Sequence, residues 1–180
     1  MPPRTALLLC TALLVGCHDG AALPREPDEY TGCATDELWE TFDGAREIVS
    51  DADAPVLIDP SPEAALGATP PDFVWHASPT VDGAPAGDVA MSCSQWSPGF
   101  STLHLPPVSG TVFDLQLSAA GALRHRVLTT LQRWRASDEV WRAFAGARLS
   151  VRVRRMVVLL NAREAGPYVA AATRDLTVAN

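Results

Sequence analysis

"RLSVRVRRM" (148–156) is the stretch whose reading decides the fold. Leu149, Val151 and Val153 alternate with Ser150, Arg152 and Arg154. A period of two puts the apolar set on one face and the polar set on the other, the pattern of a half-buried antiparallel strand. Working outward, "TVFDLQL" (111–117) alternates in the same way, with Phe113, Leu115 and Leu117 on one side and Val112, Asp114 and Gln116 on the other. "SAAGA" then reads as a turn, and "LRHRVLTT" (123–130) as the returning arm of a hairpin. "PDFVWHA" (71–77) is a short aromatic strand after a proline-rich turn, and "ATRDLTV" (172–178) closes the series. Between strands, Ser137 followed by Asp138 and Glu139 caps one helical turn carrying Val140, Trp141 and Phe144, stopped by Gly146.

Short strands with turn signals between them and only snatches of helix predict an all-β chain, a two-sheet sandwich of about seven strands over residues 54–180. Upstream, "CATDELWETFDGAREI" (33–48) supplies a helical appendage, assigned to 33–53. Thr35 caps it, Asp36 and Glu37 favour the positive end of the helix dipole, Leu38, Trp39 and Phe42 give it an apolar side, and Gly44 ends it. Residues 18–32, "HDGAALPREPDEYTG", show no apolar period and read as a flexible spacer. The quoted segments "PDFVW", "TVFDLQLS", "RHRVLTT" and "SDEVWRAFAGARLSVRVRRM" together resemble the B, C, C′ and E–F course of fibronectin type III and related immunoglobulin-like modules. The resemblance implies an antiparallel sandwich whose core is filled by an inner tryptophan on strand B and an aromatic on strand C. Trp75 and Phe113 match those places. The chain departs from the pattern between B and C, where more than thirty residues intervene, including "GDVAMSCSQWSPGFSTLHLPPVSG" (87–110). Loops of that length in compact domains are functional or disordered, and the aromatics favour order.

The amino terminus sets the expected address. Arg4 is the sole charge before position 18, and Ala6–Gly16 form an apolar run of signal-peptide length, too short for the roughly twenty residues of a membrane span. Leu14-Val15-Gly16-Cys17 resembles the lipobox of bacterial lipoproteins. That resemblance implies removal of residues 1–16, acylation of Cys17, and a lipidated tether over 17–32. The competing reading is an ordinary secretory signal that contains a cysteine. Acyl chains contribute about 0.8 kcal/mol per buried methylene, so two or three anchor durably. His18 follows Cys17, which favours the outer over the inner membrane by the familiar enterobacterial sorting logic. With Cys10 lost and Cys17 acylated, Cys33 and Cys93 remain as one even pair, expected to form a disulfide outside the cytoplasm; a catalytic thiol is the rival reading of either.

The chain carries a formal charge of −7 and contains no lysine. Residues 1–100 hold three arginines against sixteen acids, and residues 101–180 eleven against five. Acidic and basic halves that meet within one unit neutralise each other, and export argues against a nucleic-acid partner. No zinc-protease, nucleophile-elbow, Walker or EF-hand pattern occurs, so no catalytic residue, metal ligand or cofactor is assigned. His76, His104 and His125 lack ligand spacing, and Asp51, Asp53 and Asp59 lack a glycine-turned calcium loop. In immunoglobulin-like sandwiches the B–C and F–G loops emerge at one end. That places Trp96, Phe100 and His104 near "LNAREAGPY" (160–168), with Arg163 and Glu164, as an expected binding surface; the competing reading is that Trp96 and Phe100 pack the insert onto the sandwich. The expectation is a lipid-anchored cell-envelope protein with a non-catalytic binding or assembly domain, its partners the membrane through Cys17 and an envelope protein or glycan. The alternatives are a solute- or metal-binding lipoprotein, and a hydrolase with its site in the 91–110 insert.

Overall fold

The computed structural model describes residues 25–62, 64–77 and 107–179. Among them run β1 (Glu29–Thr31), α1 (Asp36–Asp43), β2 (Ile48–Val49), β3 (Val56–Asp59), β4 (Ala65–Leu66), β5 (Asp72–His76), β6 (Gly110–Ala119), β7 (Ala122–Thr129), β8 (Arg133–Arg135), α2 (Asp138–Arg142), β9 (Arg148–Leu159), β10 (Ala162–Val169) and β11 (Arg174–Val178). The chain is mostly β and forms two sheets, as the alternation predicts. The larger sheet has the order β1-β7-β6-β9-β10-β2, with β11 also on β9 and β4 on β11; the smaller is β3-β5-β8. Eleven strands stand among the described residues against about seven expected, and the short β1, β2, β4 and β8, of two or three residues each, are the ones no periodicity marked. β1, β2 and β4 pair in parallel at sheet edges, through backbone hydrogen bonds that leave no periodic signature in so few residues.

The two sheets enclose the main core. Trp75 and Phe73 of β5 meet Phe113 and Leu115 of β6 and Val151 of β9. Trp75 and Phe113, the matched aromatics, touch edge to face with ring centroids 5.6 Å apart, a preferred aromatic geometry. Leu149, Val151 and Val153 point into this core, as the alternation of 148–156 predicts.

The opposite face departs from expectation. Arg154 is only 6% exposed, and Met156 and Val158 beyond it are buried. On β6 the polar-side residues Val112 and Asp114 are fully buried. The cause is α1, which lies over this outer face: Leu38, Trp39 and Phe42 pack with Val112, Leu128, Met156 and Val158 into a second core. Helix α1 is built as its sequence predicts, with the Thr35 side chain accepting from the Leu38 amide at 3.4 Å. It is the third layer of the body, and β1 and β2 on either side of it belong to the larger sheet. Within the expected spacer over 17–32, the described residues 25–32 are part of the body. From Arg25 onward the chain is held: the Asp28 amide donates to the Arg126 carbonyl at 2.8 Å, and Glu29–Thr31 run beside Val127–Thr129. Composition could not register this, because an edge strand is held by its backbone and keeps charged side chains.

Turn chemistry fixes the two hairpins. At β6–β7 the central residues Ala120 and Gly121 have φ of 52° and 76°, and at β9–β10 Leu160 and Asn161 have 51° and 63°. Two-residue hairpins of the twist-compatible type need positive φ at both positions. After the second hairpin, Gly166-Pro167 shifts the register of β10 on β9.

Candidate functional site

The expected binding end divides across the described boundary. Trp96, Phe100 and His104 lie outside the described residues, as do Cys17 and Cys93. Arg163 and Glu164 sit on β10 just after the β9–β10 hairpin, both exposed. At that hairpin the chain re-enters after the insert. The Asn161 amide donates to the Val108 carbonyl at 2.8 Å, and the Val108 amide donates to Asn161 Oδ1 at 2.7 Å. The Leu160 amide donates to Ser109 Oγ at 2.9 Å. Asn161 also reaches α1, donating from Nδ2 to Glu37 Oε2 at 2.8 Å, while Thr41 Oγ1 donates to the Asn161 carbonyl at 2.9 Å. One asparagine thus ties hairpin, helix and the carboxyl end of the insert together. Leu159 and Leu160 stand out at this corner, 55% and 63% exposed. The sequence reading missed Asn161; its signal is an asparagine in a short loop, the residue that best tolerates left-handed backbone after glycine.

A second concavity, of about 290 Å³, opens along the side of the sandwich between β3 and the gap from β10 to β11. Val56, Leu57, Val153 and Val169 line it together with Arg152 and Arg174. Arg174 bridges it, donating to the Leu57 carbonyl at 2.9 Å and to the Pro60 carbonyl at 3.2 Å. Asp51 accepts from the Ala171 amide at 2.9 Å. The cations of this groove already bond the protein itself, so it is a seam between sheets.

A cluster of five charged side chains lies under α1. Asp114 is 0% exposed and accepts from Arg126 Nε at 2.9 Å and Nη2 at 2.8 Å, from Arg154 Nε at 2.6 Å, and from Gln116 Nε2 at 2.9 Å. Arg154 Nη2 also lies against its Oδ2. Glu47, entering from the α1–β2 connection, accepts from Arg152 and from Arg154, each at 2.7 Å. The helix closes over the guanidinium planes: Arg126 lies 4.0 Å from the centre of the Trp39 ring and Arg154 4.8 Å from that of Phe42, within the range of cation–π attraction. Burial pushes the Asp114 carboxyl up, but the hydrogen bonds and charges of Arg126 and Arg154 outweigh it and hold the group below the usual carboxylate range. Glu47 is likewise lowered against its burial by Arg152 and Arg154. A carboxylate bonded by four donors and closed off from solvent is out of a substrate's reach, so this cluster is an internal staple.

Cys33 sits partly buried just before α1, its amide donating to Thr130 Oγ1 at 3.0 Å. His76 is exposed at the end of β5 and His125 is buried on β7. Among the described residues no three of His, Cys, Asp and Glu gather to hold a metal ion, and no helix is long and apolar enough to cross a membrane. No protein family, curated protein or solved structure matches this chain.

Proposed function

We propose that this chain is a lipid-anchored cell-envelope protein whose immunoglobulin-like domain binds or assembles with a partner through the corner built around Asn161. The observation that carries the reading is that corner. A rigid hairpin displays Leu159 and Leu160 beside exposed Arg163 and Glu164, at the point where the insert rejoins the sheet. Apolar side chains with a charged rim, held on a pinned turn, make a contact surface with little ordering cost.

Strand order supports the immunoglobulin-like and fibronectin type III-like assignment. Taking β3, β5 and β8 as A, B and E, and β7, β6 and β9 as C′, C and F, with β10 and β11 sharing the G position, gives A-B-E against C′-C-F-G. Immunoglobulin-like sandwiches distribute their strands between sheets in this way. Anchoring rests on Leu14–Cys17 and the apolar leader before it. A Cys33–Cys93 bridge belongs to the same reading, closing a loop of about 60 residues and contributing up to about 4 kcal/mol.

Mass spectrometry of the membrane fraction tests the anchor: the reading expects a mature amino terminus at Cys17 bearing acyl chains, and an unmodified Cys17 removes it. For the surface, Leu160→Asp and Arg163→Ala are introduced together and partners are captured by in-cell cross-linking. Loss of partners from a folded variant is expected; retention of every partner overturns the assignment of this corner.

A further inference from the structure

The short strand β1 is held against β7 by an arrangement that contains one titratable base between two acids. His125 is 8% exposed on β7. Its Nδ1 lies 3.8 Å from Asp28 Oδ2 and its Nε2 3.7 Å from Glu29 Oε2, both carboxylates coming from the strap 25–31. Nε2 is buried with no hydrogen-bond partner. The ring is fixed from the other side by Trp134 of β8, stacked with its centroid 5.4 Å away and its plane 27° off. Trp134 Nε1 in turn donates to Glu29 Oε2 at 3.1 Å. Both distances from the imidazole are too long for hydrogen bonds but short enough for strong attraction once the ring is charged.

We propose that His125 is a proton-operated latch for the amino-terminal strap, protonation of its ring drawing Asp28 and Glu29 onto β7 and deprotonation loosening β1. Histidine is the side chain whose charge ordinarily changes between about pH 5 and 8. Strap docking is strongest where the ring is charged and the two carboxylates remain ionised. It is expected to weaken as the pH rises through that range.

The other charges around the ring leave this balance intact. Arg25, on the strap, is committed to Asp28 Oδ1 and to the Leu123 carbonyl. Arg126, the neighbour on β7, has its guanidinium on the opposite face, where it bonds Asp114 and donates from Nη1 to the Arg25 carbonyl at 2.7 Å, while its amide donates to Asp28 Oδ2 at 2.9 Å, so part of the hold on the strap does not depend on the ring's charge. Arg124 is exposed, as are Arg133 and Arg135 flanking Trp134 on β8, with Arg135 turned toward Asp72 at 3.9 Å. Across the sheet, β6 presents Leu117 opposite His125. The two strap acids are thus the anions facing the ring.

The latch acts on reach. Freeing residues 25–31 from β7 lets out seven residues of chain, up to about 25 Å when extended. The latch itself stands apart from lipidation. Its consequence, a body held closer to a bilayer at acidic pH, rests on the anchored reading above.

Amide hydrogen exchange on the full chain tests it. The protection of Glu29–Thr31 is read at pH 5.5 and pH 8.0, each relative to Leu115 at the centre of the sheet in the same sample. Relative protection is expected to be about threefold to fivefold greater at pH 5.5, the upper end of what ion pairs open to solvent contribute, and to change less than about twofold in His125→Gln. Equal relative protection at both pH values in the unaltered protein overturns the proposal, as does the same pH response in His125→Gln. Should that variant not fold, Asp28→Asn/Glu29→Gln is read in the same way. An unchanged response there overturns the proposal, and a lost one supports it.

Discussion

Asp114 shows how far one side chain can depart from its place in a pattern. In "TVFDLQL" it occupies a position that alternation assigns to solvent, yet it is fully buried with two arginines bonded to its carboxylate. Replacing it with Asn keeps the shape and removes the charge, leaving Arg126 and Arg154 short of an anion in a closed layer. Breaking a buried pair from one side costs about 3 to 5 kcal/mol, so Asp114→Asn is predicted to lower unfolding free energy in urea by about that amount. The pH dependence follows from the direction of the shift. Asp114 and Glu47 are held below the usual carboxylate range in the folded protein. Their stabilisation is therefore fully present above the unfolded values of about 3.9 and 4.3. It is lost as the pH falls through the lower folded values. Acid titration of unfolding is expected to show a stability loss below about pH 4, and Asp114→Asn is expected to flatten it.

At the scale of the element, β9 and β10 carry the design. Strand β9 runs twelve residues and changes its buried side along the way, from Leu149, Val151 and Val153 facing the smaller sheet to Met156 and Val158 facing α1. The adjacent pair Arg154-Arg155 marks the crossing, and both side chains are buried. Strand β10 follows it only because Gly166 permits close approach. Its φ is +88°, and a Cβ there would stand 2.7 Å from the Arg155 carbonyl oxygen. Backbone cannot yield as a flexible side chain does. Gly166→Ala is predicted to destabilise the fold by about 2 kcal/mol or more, measured by thermal or urea unfolding. Gly121→Ala at the β6–β7 hairpin meets no neighbouring atom and should lose only its positive-φ preference, about 1 kcal/mol. A larger loss for Gly121 than for Gly166 would show that crowding at the bulge is not what matters.

At the scale of the whole molecule, the described residues form three layers: a small sheet, a large sheet and helix α1. The two cores meet through the large sheet, whose central strands β6, β7 and β9 are buried on both faces. Helix α1 is therefore part of the folding unit, fastened by apolar contact, by arginine planes against its rings and by Asn161. Trp39→Ala is predicted to cost about 3 to 5 kcal/mol, and to raise exchange at Val112, Leu128 and Met156 while leaving Trp75 and its neighbours protected. Loss of both regions together would mean that the layers are not separable. A helix that only decorated the surface would give a change below about 0.5 kcal/mol.

The sequence by itself determined the elements whose cause is local. A period of two in 111–117 and 148–156, caps at Thr35 and Ser137, and the small-residue turn at 119–122 each draw on neighbours a few positions away, and strands, helices and hairpin stand where those signals put them. It also marked Trp75 and Phe113 as core. What only tertiary structure decided was which side of each strand met water. A polar residue on an alternating strand carries the same local signal whether its face is open or roofed, and the roof came from 36–43, more than seventy residues before the strand it covers. The same limit hid β1, the bond from Arg154 to Asp114 and the place of His125 beside Asp28 and Glu29. Arg154 stands forty positions from Asp114 and the strap about a hundred from β7, and no short window along the chain holds both partners of either contact.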